Sequence, residues 1–157
     1  MTTPRILVQE APFDVAAEMA ALSAGRTDVG AIASFTGLVR DDRGRADDGL
    51  LAMVLEHYPA MTQRALEGIA AEAMRRWPLS GCTVIHRVGR LEPGALIVLV
   101  LTASAHRAAA LESCAFLMDW LKTKAPFWKR EELRSGDTRW VEARDADADA
   151  ASRWDAV

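Results

Sequence analysis

The chain has 157 residues, half of them hydrophobic, with 19 Lys and Arg against 22 Asp and Glu and a net charge of −3. That length and apolar content suffice for one soluble globular core without disulfides or structural metal, and they exclude a disordered chain. The slight acidity speaks against a nucleic-acid module, and no nucleic-acid partner is expected.

Ile6–Val8 reads as a short first strand. Asp14 then caps a helix to about Ala24, with Val15, Met19 and Leu22 at helical spacing and Gly25 closing it. Gly30 to Val39 suits a strand. The stretch 40–49 (RDDRGRADDG) is almost wholly charged or glycine and predicts a solvated, mobile loop, in which Arg43 and Arg45 serve solubility. Leu50 to Leu55 turns apolar again, as a strand. Pro59 opens a helix to about Trp77, with Met61, Ala65, Ile69, Ala73 and Met74 on one stripe and Pro78 stopping it. Cys82, Val84, His86 and Val88 alternate with Thr83, Ile85 and Arg87 as in a strand, and the turn LEPG follows at 91–94.

Ala95 to Thr102 (ALIVLVLT) has no polar face and predicts a central strand covered on both sides. A helix follows from about Ala105 to Lys122, with Ala108, Leu111, Ala115, Met118 and Leu121 on one face. Pro126 breaks it, and Phe127–Glu131 and Thr138–Ala143 form a hairpin around Ser135, Gly136 and Asp137. From Asp145 an acidic tail runs to residue 157, anchored only by Trp154. No repeat or linker divides the chain, so residues 1–157 read as one α+β domain. The N-terminal ten residues lack the apolar core of a secretory signal, and the longest apolar run is about half a membrane helix. A cytoplasmic protein with no membrane contact is expected.

Two constellations carry chemistry. Ser104-Ala105-His106-Arg107 stands where a buried strand yields to a helix, a junction whose unpaired N–H groups and dipole favour anions. Lys122 to Glu131 (KTKAPFWKRE) contains all three lysines of a chain that otherwise uses only Arg for positive charge. A Lys amine can be tuned to act as acid, base or nucleophile, whereas Arg stays protonated. A helix of that length spans ~25 Å, so its two ends cannot meet in one straight helix. Either the fold returns Lys129 and Arg130 towards the helix start, or a second subunit completes the site. The plainer alternatives are a simple helix cap at Ser104 and a solvated basic helix end at Lys124. Cys82 and Cys114 lie in apolar stretches, His57 and His86 read as structural histidines, and no nucleotide-loop or metal motif occurs. No metal and no cofactor are expected.

On these residues the chain resembles the large, catalytic subunit of molybdopterin synthase. The matching stretches are FTGLVR at 35–40, LEHYP at 55–59, VIHRVG at 84–89, SAHR at 104–107, MDWLKTKAPFWKRE at 118–131 and RWVEAR at 139–144. The resemblance implies an α/β hammerhead fold with an additional antiparallel β subdomain. It implies a homodimer that forms a heterotetramer with two small ubiquitin-like sulfur-carrier subunits, each ending in Gly-Gly. Sulfur from the carrier's C-terminal thiocarboxylate would pass to cyclic pyranopterin monophosphate and form the dithiolene of molybdopterin. Lys122 and Lys129 match the family's catalytic lysines. Leu38, Val39, Arg40, His106, Arg107, Arg130 and Glu131 match its substrate pocket together with those lysines, and Leu38 stands where a basic residue can occur. Phe35, Met118, Pro126 and Phe127 are apolar residues flanking these motifs and are expected to line a channel for the carrier tail. A non-catalytic adaptor for a ubiquitin-like tail is the alternative, and it would need only an apolar groove and one cation.

Overall fold

The computed structural model describes residues 2–41, 48–142 and 144–155. In chain order these form β1 (Arg5–Gln9), α1 (Val15–Ser23), β2 (Ala31–Leu38), β3 (Leu50–His57), α2 (Pro59–Arg76) and β4 (Leu79–Arg87). There follow β5 (Gly89–Leu91), β6 (Leu96–Ser104), α3 (Arg107–Lys124), β7 (Phe127–Leu133), β8 (Thr138–Val141) and α4 (Asp145–Ser152). The strands make two sheets, ordered β1-β4-β6-β2 and β5-β3-β7-β8. In the first, β1 runs parallel to β4 and the other pairs are antiparallel, while the second is antiparallel throughout. The α+β class holds, and the second sheet is the additional antiparallel subdomain beside the hammerhead.

The largely apolar β6 is an inner strand, buried from Val98 to Ser104. One face of its sheet packs on α2 and α3 through Leu66, Ile69, Val100, Phe116 and Leu117. The other takes Val15, Met19 and Leu22 of α1 against Ile85, Leu99 and Leu101. Asp14 caps α1 as the sequence predicts, its carboxylate accepting from Ala17 N–H at 3.0 Å. Gly30 is required by close approach, because a Cβ there would lie 2.1 Å from the carbonyl oxygen of Ala105. That contact fixes where β6 hands over to α3.

Four sequence expectations change. On α2 the buried stripe runs through Thr62 and Leu66, and Met61 is 55% exposed. Thr62 can be buried because its hydroxyl donates to the carbonyl of Pro126 at 3.1 Å. On α3, Leu111 is 61% exposed while Ala110, Ser113 and Cys114 face the core, since the side of α3 that carries them is the one packed on β2 and β6. The three-residue β5 adds an edge to the second sheet that the turn signal concealed. Finally, the acidic tail forms α4. Its aspartates suit a helix N-terminus but are poor helix formers, so docking holds it. Trp154 packs edge-on to Trp77 and Phe116 at 5.6 and 5.7 Å, and its indole N–H donates to Asp119 at 2.7 Å. Trp154→Ala should therefore lower stability by about 2 kcal/mol, read as a lower urea midpoint with an unchanged slope.

The expected mobile loop at 40–49 lies outside the described residues at 42–47. At its flanks, Asp41 accepts from Leu50 N–H and pairs with Arg134 at 3.2 Å, and Gly49 O accepts from Arg134 N–H.

Candidate active site

Pro126 ends α3 and sends the chain back as β7, which pairs antiparallel with β3 so that Lys129 lies opposite Leu55 and Phe127 opposite His57. Strand alternation puts Phe127, Lys129 and Glu131 on one face and Trp128 and Arg130 on the other. Lys129 is thereby turned towards the last turn of α3, where Lys122 stands. Both lysines border a cavity of about 60 Å³ between the sheets, walled by His86, Ile97, Val98 and Phe127. On their other side the same two lysines and Phe127 line a wider cleft of about 290 Å³, closed by Val141, Glu142, Arg144 and Asp147. That is close to the small end of ligand-sized pockets.

Burial pulls the Lys129 amine down to about 8, with the neighbouring Lys122 charge and hydrogen bond acting in the same direction and Asp147 opposing them. An amine so placed exists in both protonation states near neutral pH, as an acid/base group requires. The shift also has a stability consequence. Between about 8 and the ordinary value of 10.5 the unfolded chain binds the proton that the folded chain has lost, so this group's contribution to stability rises with pH across that window. Below it, the buried ammonium is a net cost. Lys129→Met should thus be more stable than the parent at pH 7 by about 1–3 kcal/mol, with the difference closing by pH 10.5. Equal urea midpoints at pH 7 would show that the amine is not held half-buried.

The other constellation lies elsewhere. β2 and β6 are antiparallel, with Ala31 opposite Ser104 and Leu38 opposite Leu96. Leu38, Val39 and Arg40 therefore share an end of the sheet with Lys122, whereas His106 and Arg107 occupy the opposite end, roughly 24 Å away along α3. The fold returns Lys129 to the end of α3 and not to its start. His106 and Arg107 are exposed, and the helix N-terminus has no side-chain cap there. Ser104 is no cap either, since its hydroxyl donates to Pro78 O at 2.9 Å.

A model of the family described as MoaE protein matches residues 8–124. The chain belongs to the MoaE family. It is 55% identical to the molybdopterin synthase catalytic subunit of Mesorhizobium japonicum, over 96% of this chain and 93% of that one. It is 54% identical to the protein of the same name from Pseudomonas aeruginosa, over 96% and 98%. The molybdopterin biosynthesis MoaE protein of Burkholderia ambifaria superposes with a TM-score of 0.81 at 50% identity, over 97% of this chain and 98% of that one.

The remaining residues singled out in the MoaE-like motifs are dispersed. Glu131 shares the face of Lys129 but is engaged by Arg139 at 2.7 Å, and Arg130 faces away across from Trp140. Val39 is buried and works through its backbone, bonded to Ala95 O and Gly94 N–H. Among the apolar four, Phe127 lines both cavities, Met118 lies in the main core, Pro126 is tied to Thr62, and Phe35 is partly exposed on β2. Sequence reasoning missed His86, Glu142, Arg144 and Asp147. His86 obeys strand alternation like any core residue, Glu142 and Arg144 lay in the matching stretch RWVEAR without a role assigned to them, and Asp147 stood in the apparent tail.

Proposed function

We propose that this chain is the catalytic subunit of a molybdopterin synthase, a sulfurtransferase of molybdenum cofactor biosynthesis. It moves sulfur from the C-terminal thiocarboxylate of a small ubiquitin-like carrier to cyclic pyranopterin monophosphate, forming the dithiolene. The observation that carries this reading is the pair of amines, Lys122 and Lys129, set between an enclosed cavity and a ligand-sized cleft. A non-catalytic adaptor would have no use for a second amine that burial has tuned to about 8.

In this reading the carrier's sulfur attacks a side-chain carbon of the pterin. A C–S bond forms, a C–O bond breaks, and the departing oxygen leaves as water after taking a proton from the Lys129 ammonium. Water then adds to the acyl carbon still attached to sulfur. Lys122 stabilises the tetrahedral oxyanion, and the carrier departs with an ordinary carboxylate. The narrow Gly-Gly tail reaches the lysines past Phe127, with Phe35 and Pro126 flanking its path and Met118 packed in the core behind it. The cyclic phosphate requires cationic donors. Arg40 supplies one at the lysine end, and His106 and Arg107 supply an exposed helix N-terminus suited to the rest. A two-fold homodimer that sets the α3 N-terminus of one subunit against the lysines of the other would unite them. Glu131, Leu38 and Val39 then shape the pocket walls, the last through its backbone, while Arg130 lies on the opposite face of β7.

The working assembly is a heterotetramer of two such chains, each one domain, and two carriers, in the cytoplasm. No helix among the described residues is long and apolar enough to cross a membrane. Incubating the protein with a thiocarboxylated carrier and the cyclic pterin should yield dithiolene product and carrier carboxylate. Binding of both without sulfur transfer would sink the assignment.

A further inference from the structure

His86 is 4% exposed at the end of β4, in register between Val8 of β1 and Val98 of β6. Its Nδ1 lies 2.8 Å from the carbonyl oxygen of its neighbour Arg87. A carbonyl only accepts, so Nδ1 carries the proton and donates, and a neutral ring is left with a bare Nε2. The ring stays neutral because burial, helped by the charges of Lys129, Lys122 and His57, pushes its pKa down to about 4 against the opposing hydrogen bond to Arg87 O. Phe127 stacks on it at 3.9 Å and 18°, which fixes its plane.

His86 borders the small cavity together with Lys122 and Lys129. The lysines bring only donors, and the other lining side chains are hydrocarbon, so among the described residues the imidazole holds the one side-chain acceptor in that wall. The buried side-chain polar atoms without a partner are, among the described residues, Ser80 Oγ and Trp120 Nε1. Among the described residues Nε2 has no protein partner, it is not sealed in, and, with His86 lining the cavity, it opens there. At about 60 Å³ the space accommodates a bridging water.

We propose that His86 is a positioning residue for the lysine pair: its bare Nε2 accepts a hydrogen bond relayed from the Lys129 amine through one water in the shared cavity. One N–H is thereby held inward, and the rest of the amine is aimed at the cleft where substrate lies. This rests on the role of Lys129 in the proposed reaction, but its test does not. The groups facing His86 are Lys122 of α3, Lys129 of β7 and His57 of β3, so a change at His86 is read on the lysines.

With three lysines and three histidines in the chain, selective 13Cε-lysine and 15N-imidazole labelling gives assignable spectra. In the parent protein the 15N shifts of His86 should report a protonated Nδ1 and a bare Nε2. His86→Phe keeps a ring against Phe127 and removes the acceptor. The Lys129 titration midpoint should then fall by about one pH unit, because an acceptor favours the ammonium form. His86→Gln offers a carbonyl oxygen near the Nε2 position and should restore most of that loss. Lys124, over the Trp120 ring, should titrate identically in all three proteins. Turnover of His86→Phe should drop about tenfold in kcat with little change in KM, and its pH–rate profile should move to lower pH.

A proton on Nε2 in the parent protein overturns the proposal, whether or not His86→Phe folds. So does an unchanged Lys129 midpoint in folded His86→Phe. The titration needs no substrate. If the midpoint moves but no dithiolene forms, the positioning role stands and the sulfur-transfer reading fails.

Discussion

Replacing Lys129 or Lys122 by Ala should lower turnover by ~10²-fold or more, the scale for loss of a positioned acid/base or electrostatic group. Arg should rescue neither. At position 129 the reason is twofold. A guanidinium cannot give up a proton near neutral pH, and its planar fork does not fit a wall shared with Phe127 and the His86 ring. At position 122 an Arg keeps the charge but spreads it over a plane, so the point charge at the oxyanion is lost. The two Ala variants should differ in stability. Lys129→Ala removes a buried ammonium whose cost partly offsets the lost packing, whereas Lys122 is exposed and its removal should be nearly neutral. Single-turnover sulfur transfer, with circular dichroism as the fold control, separates these effects. Near-native rates in both Lys→Arg variants would mean that the cluster is only charge.

Mixed dimers should recover activity when the two defects lie at opposite ends of α3. A chain carrying His106→Ala and Arg107→Ala keeps its lysines, and a Lys129→Ala chain keeps its helix N-terminus. If the α3 N-terminus of each subunit serves the lysines of the other, every mixed dimer has one intact site and one doubly defective site. Random mixing should then restore roughly a quarter of native activity, since half the dimers are mixed and each has one working site of two. Arg40→Ala mixed with Lys122→Ala should restore much less, because Arg40 and Lys122 stand at the same end of one chain by the β2–β6 register. No recovery in the first mixture, with mixed dimers confirmed by mass spectrometry, would mean that the phosphate is bound by other cations at the lysine end.

The chemistry-bearing residues were legible in the sequence because composition marked them. Three lysines within eight positions of an Arg-rich chain, and a Ser-Ala-His-Arg step from an apolar run to a helix, need no structure to be noticed. What the residues do to one another was not legible. His86 alternates like a core residue, and nothing local says that the element opposite it will be β7 with a lysine on the inward face. Asp147 belonged to an apparent tail until Trp154 docked α4 against Trp77 and Phe116.

By itself the sequence determined the order and type of most elements, the central position of β6 and the Asp14 cap. These follow from short-range rules: apolar periodicity, proline stops and side chains that reach a backbone amide three residues on. Tertiary structure decided which faces were covered, and so exposed Met61 and Leu111 while burying Thr62, whose hydroxyl is satisfied by a carbonyl 64 residues away. It decided too that the lysines meet at one end of α3 while His106 and Arg107 stay at the other. Strand register carries that decision, because a strand shifted by one residue would turn Lys129 outwards and leave the cavity without its second amine.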